Sequence, residues 1–279
     1  MKQNAIFNGN RFLRLLKQHT LHSYTALLLG LIVGFGICFL AIAFLQYVGN
    51  PYQNNNNQFL IIAVFGYAIL GSFYISSAFS PFRNKERAQA YLMIPATALE
   101  KYLVEFIFYP FLFLLVFPIL YLLANQLSTS LISIIRLDFV PFDLIDEFSK
   151  ILILKDYRIE EGVIVHTERV SVWVIWVSTS FSVAMAFFLG AASFKKYAML
   201  KTLLGLIIYF GLCVWMFYFL MIKLEWGNYL LSSEETYLTP FGTDSGTKQT
   251  IISFISIWIL CWGIVLGIVS FLKLREKEV

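Results

Sequence analysis

The sequence predicts an all-α integral membrane protein, and three observations predict it. Six apolar stretches of about 20 residues or more recur along the chain, each long enough for a helix rising about 1.5 Å per residue to cross a bilayer core. The 279 residues are 59% hydrophobic and only 14% charged, and the mean hydropathy is +0.73, far outside soluble usage. Lysine and arginine gather in alternate connections, as they do when one side of a membrane is favoured for positive charge.

The stretches are Tyr24–Val48, Phe59–Phe79, Tyr102–Leu123, Val172–Phe194, Leu203–Met221 and Ile251–Leu272. Apart from tyrosines and cysteines, the one titratable side chain inside them is Glu105. On the side of the N-terminus stand Lys2, Arg11, Arg14, Lys17, Arg83, Lys85, Arg87, Lys101, Lys195, Lys196, Lys201, Lys273, Arg275 and Lys277, which is 14 of the 21 basic residues. The asymmetry places both termini in the cytoplasm. These cations suit anionic lipid, so membrane lipid is an expected partner and nucleic acid is not. The first apolar run is too long and starts too late for a cleaved signal peptide. Cys38, Cys213 and Cys261 fall inside spans and read as small buried thiols rather than metal ligands or a disulfide.

Residues 1–23 read as a cytoplasmic interfacial helix, with Phe12, Leu15 and Leu16 on one face and Arg11, Arg14 and Lys17 elsewhere. Spans one to three occupy residues 24–125. The turn from Gly49 to Asn57 is a short, uncharged outer loop. The connection Ser80–Lys101 is the most structured one. Asn84 is placed to cap a short helix over 85–93, Pro95 ends it, and Thr97 with Glu100 forms a capping box before the third span. Pro110 and Pro118 predict a kink or unwound turn in that span, its carbonyls satisfied by neighbouring helices or water. Glu105 lies four residues after Lys101, in reach of it, as a gating or structural pair.

Residues 126–170 form the larger outer segment, acidic on balance and carrying the apolar runs 131–132 and 151–154, and read as a small cap of mixed structure with a short strand at Val163-Ile164-Val165. Residues 171–279 hold spans four to six and a cytoplasmic tail. Between Gly242 and Lys248 the glycines and lysine lack the spacing of a phosphate loop. Small residues at four-residue spacing mark close helix packing or a dimer contact: Gly30 and Gly34, Ser178, Ser182, Ala186 and Gly190, and Gly263 and Gly267.

Several chemistries are excluded. His19, His22 and His166 all lie outside the spans, so no haem is ligated at depth. Neither H-E-x-x-H nor G-x-S-x-G occurs, and no enzyme is expected. Ion-coupled transporters need intramembrane carboxylates, histidines or cations, and Glu105 stands alone. Uphill transport through this chain therefore needs work from a partner acting on its cytoplasmic connections.

The segments Tyr91-Leu92-Met93-Ile94-Pro95-Ala96-Thr97-Ala98-Leu99-Glu100-Lys101-Tyr102 and Phe194-Lys195-Lys196-Tyr197-Ala198-Met199-Leu200-Lys201-Thr202, with the order of spans, resemble a bacterial ATP-binding-cassette (ABC) transporter permease of the type-two exporter class. They also resemble a group of small permease-like membrane proteins. The topology of the class covers nearly the whole chain, whereas the two segments cover about 20 residues. The chain departs from the class in carrying its longer outer segment after the third span instead of before the sixth. The resemblance implies that 85–93 is a coupling helix docked on an ATPase through Lys85, Glu86, Arg87, Gln89, Tyr91 and Leu92, with Lys195, Lys196 and Lys201 as a second contact. It implies no cofactor in this chain, ATP and Mg being bound by an ATP-binding cassette subunit. It implies a second permease copy, identical or related, and the bacterial cytoplasmic membrane. The cargo expected is a lipid-like or peptide-like amphiphile. The other reading the residues leave open is a non-transporting sensor, immunity factor or scaffold that binds a ligand through the outer cap.

Overall fold

A computed structural model describes residues 7–48, 57–135, 153–160, 163–171, 173–219 and 245–278. Five helices in them are long and apolar enough to cross a membrane: Ser23–Val48, Ala98–Ile135, Val174–Ser193, Ala198–Met216 and Ser253–Lys277. Length and composition thus mark a multi-pass helical membrane protein. The second expected span, 59–79, is helix α2 (Asn57–Ser76). Its apolar run among the described residues, Ile62–Ser76, is shorter than a crossing.

Helix α1 (Gly9–Val48) is one uninterrupted helix of 40 residues. The expected turn from an interfacial helix into the first span, near residue 23, does not occur. No glycine or proline stands between Arg11 and Leu29, so nothing breaks the backbone ladder there. At about 1.5 Å per residue α1 is roughly 60 Å long, about twice a bilayer core.

After α2 the chain makes a 3-10 turn (Ser80–Arg83) and the eight-residue helix α3 (Lys85–Leu92). Asn84 precedes α3 with extended backbone, but its side chain makes no capping bond. The capping box is formed: Thr97 accepts from the Glu100 amide while the Glu100 carboxylate accepts from the Thr97 amide. It opens α4 (Ala98–Phe106), which passes through a π-helical turn (Ile107–Phe111) containing Pro110 into α5 (Leu112–Ile135). Proline removes one rung and pushes the preceding turn outward, which a π-helical turn accommodates. The Tyr74 hydroxyl, from α2, donates to the Phe108 carbonyl inside it at 2.8 Å.

Helices α1 and α4–α5 run side by side in the same direction. Arg11 meets Glu100 at one end, His19 packs on Phe108 with ring centres 4.6 Å apart, and Gln46 meets Asn125 and Ser128 at the other end. At that far end Gln46 donates to Asn125 at 3.2 Å and Thr129 at 3.1 Å, and accepts from Ser128 at 2.5 Å. This buried network keeps α5 helical to Ile135, three turns past the expected end of the span, so Leu131 and Ile132 belong to a helix instead of a cap. An antiparallel hairpin follows, β1 (Ile153–Glu160) and β2 (Val163–Ser171), paired from Ile153–Ser171 to Glu160–Val163 with one irregularity at Arg158 and Ile159. Strand β2 contains the expected Val163–Val165 run. The remainder of the expected cap, residues 136–152, lies outside the described residues, as do Lys2 and the Gly242–Asp244 part of the loop before the last span.

Helices α6 (Trp173–Ser193), α7 (Ala198–Tyr218) and α8 (Ser245–Glu278) complete the bundle. The α6–α8 contact is built on small residues. A Cβ on Gly263 would stand 2.8 Å from the Ser182 hydroxyl, and Ser182 donates to the Ile259 carbonyl at 2.6 Å. Gly267 faces Met185 and Tyr102, and Ser178 is fully buried. Gly190 lies so close to α7 that a Cβ would sit 1.7 Å from the Thr202 hydroxyl. Ala186 is half-buried on the same helix. A Cβ on Gly34 would lie 4.0 Å from Leu70 of α2, whereas one on Gly30 would meet nothing within 4 Å among the described residues. Two aromatic-rich cores hold the rest, one around Phe79, Phe188 and Tyr102, the other around Phe117 and Tyr121.

Candidate functional site

Among the described residues, buried charge gathers where the connection from Ser76 to Lys101 enters α4, at Glu100, Lys101 and Glu105. It begins with Phe79, a fully buried phenylalanine whose φ of 55° places it in the left-handed region. A bulky residue held there stores strain of order 1–3 kcal/mol. Its ring stacks obliquely on Phe188 at 5.0 Å, and its amide donates to the Glu105 carboxylate at 3.3 Å. A buried carboxylate is costly unless hydrogen-bonded. Glu105, 1% exposed, is held by the Phe79 amide, and Tyr91 is a further hydrogen-bond partner.

Tyr91 is also the platform for Lys101, whose ammonium lies 5.5 Å from the ring centre and 3.4 Å from the Leu92 carbonyl. The expected pair of Lys101 and Glu105 is therefore linked through Tyr91: the cation lies over its ring and the acid is bonded to it. Both charges are buried, Lys101 at 2% exposure. Phe82 packs edge-on against Tyr91 at 5.3 Å, and Lys277 of α8 lies 5.2 Å above Phe82 while donating to the Ala192 carbonyl. Lys195 lies within electrostatic reach of Lys277, which brings the α6–α7 turn to the same end of the bundle.

Glu100 is the second anchor. Its carboxylate receives Arg11 Nε and Nη2 at 2.7 Å each, the Asn8 amide at 2.8 Å and the Thr97 amide at 3.0 Å. Paired, bidentate geometry of this kind is the strong form of an ion pair. Hydrogen bonding to Glu100 pushes the Arg11 guanidinium above its ordinary value, so the arginine stays charged at every accessible pH.

Helix α3 is divided by these contacts. Lys85, Glu86, Arg87 and Gln89 are exposed, whereas Tyr91 and Leu92 are half-buried and tied to Lys101 and Glu105. Lys195, Lys196 and Lys201 are exposed on the neighbouring turn and the start of α7, with Lys201 5.4 Å from the Phe194 ring centre. The residues carried by the resemblance thus fall into an outward set and an inward set. Arg11, Phe79 and Gln46 were not singled out from sequence. A glutamine at the end of an apolar run is a visible signal, but the Arg11–Glu100 pairing spans 89 residues and has no local one.

Among the described residues no group of three or more histidines, cysteines, aspartates or glutamates is placed to hold a metal. Compared with family models, characterised proteins and solved structures, the chain matches none of them. Its fold defines a class, the multi-pass helical membrane proteins, and its buried charge marks one end of the bundle as the place where function is to be sought.

Proposed function

We propose that this chain is the transmembrane subunit of an ATP-driven exporter, with α3 as the surface on which a separate ATP-binding cassette subunit pushes. The observation that carries the reading is the division of α3. Four polar residues face outward in one eight-residue helix, and the same helix is anchored inward through Tyr91 and Leu92 to Lys101 and Glu105. A contact that transmits force needs both halves. A push on Lys85, Glu86, Arg87 or Gln89 passes through Tyr91 into the third span, and through Glu100 and Arg11 into α1. Lys195, Lys196 and Lys201 form the second contact. The poverty of titratable groups at depth supports a borrowed motor over an ion gradient.

Two ATPase subunits and a second permease copy complete the assembly in the bacterial cytoplasmic membrane, with the end that holds Arg11 and α3 in the cytosol. ATP and Mg are bound by the partner. The cargo is a lipid-like or peptide-like amphiphile, suited to the aromatic interior. The test is reconstitution with the co-purifying ATPase. Replacing Lys85, Glu86 and Arg87 together by alanine abolishes most of the stimulation of ATP hydrolysis while the melting temperature stays within a degree or two. Undiminished stimulation in that variant removes the reading.

A further inference from the structure

The first 85 residues contain no aspartate or glutamate, yet carry six lysines and arginines. Of the three cations on α1, Arg11 is neutralised by Glu100. Arg14 and Lys17 are exposed, and no described acidic side chain pairs with them. With Gln18 and Leu21 they line an open groove of about 440 Å3. The four residues lie at i, i+3, i+4 and i+7, which is one face of a helix.

That face does not stop at the groove. Because α1 is unbroken, it continues through Leu21, Tyr24 and Leu28, which are 73%, 56% and 41% exposed. Ser23 begins the apolar span. Lys17 lies six residues before it, about 9 Å along the axis, and Arg14 lies one turn farther out. The headgroup layer occupies roughly 5–8 Å on each side of the hydrocarbon. Lys17 therefore stands at the outer margin of the headgroup layer and Arg14 just beyond it, their long side chains able to reach a lipid phosphate. Both are in line with an exposed face that descends through Leu21 to Tyr24 and Leu28 in the apolar span. A soluble anion would use only the upper half of this face, whereas a lipid uses all of it.

We propose that Arg14, Lys17 and Gln18 bind the phosphate of an anionic phospholipid whose acyl chain lies along Leu21, Tyr24 and Leu28, in the leaflet on the N-terminal side. The site is independent of any ATPase partner. Each surface cation contributes about a factor of five to binding of an anionic lipid, so two contribute roughly thirtyfold.

The test uses the full-length protein, delipidated in mild detergent and titrated with phosphatidylglycerol or phosphatidylcholine, bound lipid being counted by native mass spectrometry. The wild type prefers phosphatidylglycerol. Arg14→Gln with Lys17→Gln weakens that lipid by about thirtyfold and leaves phosphatidylcholine unchanged. A charge-matched control, Lys273→Gln with Arg275→Gln on the exposed end of α8, shifts it by less than threefold. Equal binding of both lipids by the wild type would overturn the proposal. So would an equal loss in the control, which would mean diffuse attraction rather than a site, or displacement of phosphatidylglycerol by millimolar inorganic phosphate, which would mean a soluble-anion site.

Discussion

Single residues at the buried end of the bundle divide by what their polar atoms hold. Glu105→Gln keeps a carbonyl for the Phe79 amide and should change stability little, whereas Glu105→Leu strands a buried amide and should cost about 1–3 kcal/mol. Thermal melts of the two variants in one detergent distinguish these outcomes, and similar melts would remove the Phe79–Glu105 bond from the account. Phe79→Gly relieves a left-handed backbone but deletes the ring on Phe188. Relief of about 1–3 kcal/mol is smaller than the roughly 3–5 kcal/mol lost with a buried phenylalanine, so the variant is destabilised. Thr97→Ala removes the cap of α4 at a cost of about 1 kcal/mol. That cap was legible in sequence, because its two partners are three residues apart. The left-handed Phe79 was not: Ser80-Pro81 signals a turn after it, but nothing local singles out a buried phenylalanine for that backbone, and the carboxylate its amide meets lies 26 residues away.

Between elements, separation is set by small residues. Gly190→Ala drives a methyl into the Thr202 hydroxyl and should lower stability by about 1–3 kcal/mol, with Thr202→Ala restoring part of the loss in the double variant. Gly205→Ala meets nothing within 4 Å and should be neutral or mildly stabilising. A cost at position 205 equal to that at 190 would show that helix propensity, not packing, decides. Tyr74→Phe removes one hydroxyl from the π-helical turn, an interhelical bond of about 0.6 kcal/mol by the average for membrane proteins. The sequence pointed to these helices through hydropathy, and to the close contacts of α6 and α8 through their four-residue spacing. The same spacing at Gly30 meets no neighbour among the described residues, because the pattern records where a backbone can come near and not which backbone does.

For the molecule as a whole, the proposed orientation is open to direct measurement. A fluorescent protein fused after residue 279 should fold and fluoresce, as it does in the cytosol, and alkaline phosphatase fused at residue 142 should be active, as it is outside. An inactive phosphatase fusion would reverse or break the topology. The span positions came from composition alone, since length and apolarity are local quantities. The unbroken α1, the prolonged α5 and the ties at both ends of that pair are tertiary: Arg11 needs Glu100, and Gln46 needs Ser128, each on a helix made long after the first has left the ribosome.

Helix α8 reaches across to both α6 and α4: Ser182 donates to the Ile259 carbonyl, and Tyr102 to that of Gly267. Synthesis delivers these acceptors last. Until then two hydroxyls made more than 75 residues earlier have no such acceptor, and the half-built bundle is the form that membrane proteases and insertases encounter. A nonsense mutation just before Ser245 is accordingly a recipe for rapid turnover, whatever the chain carries or signals.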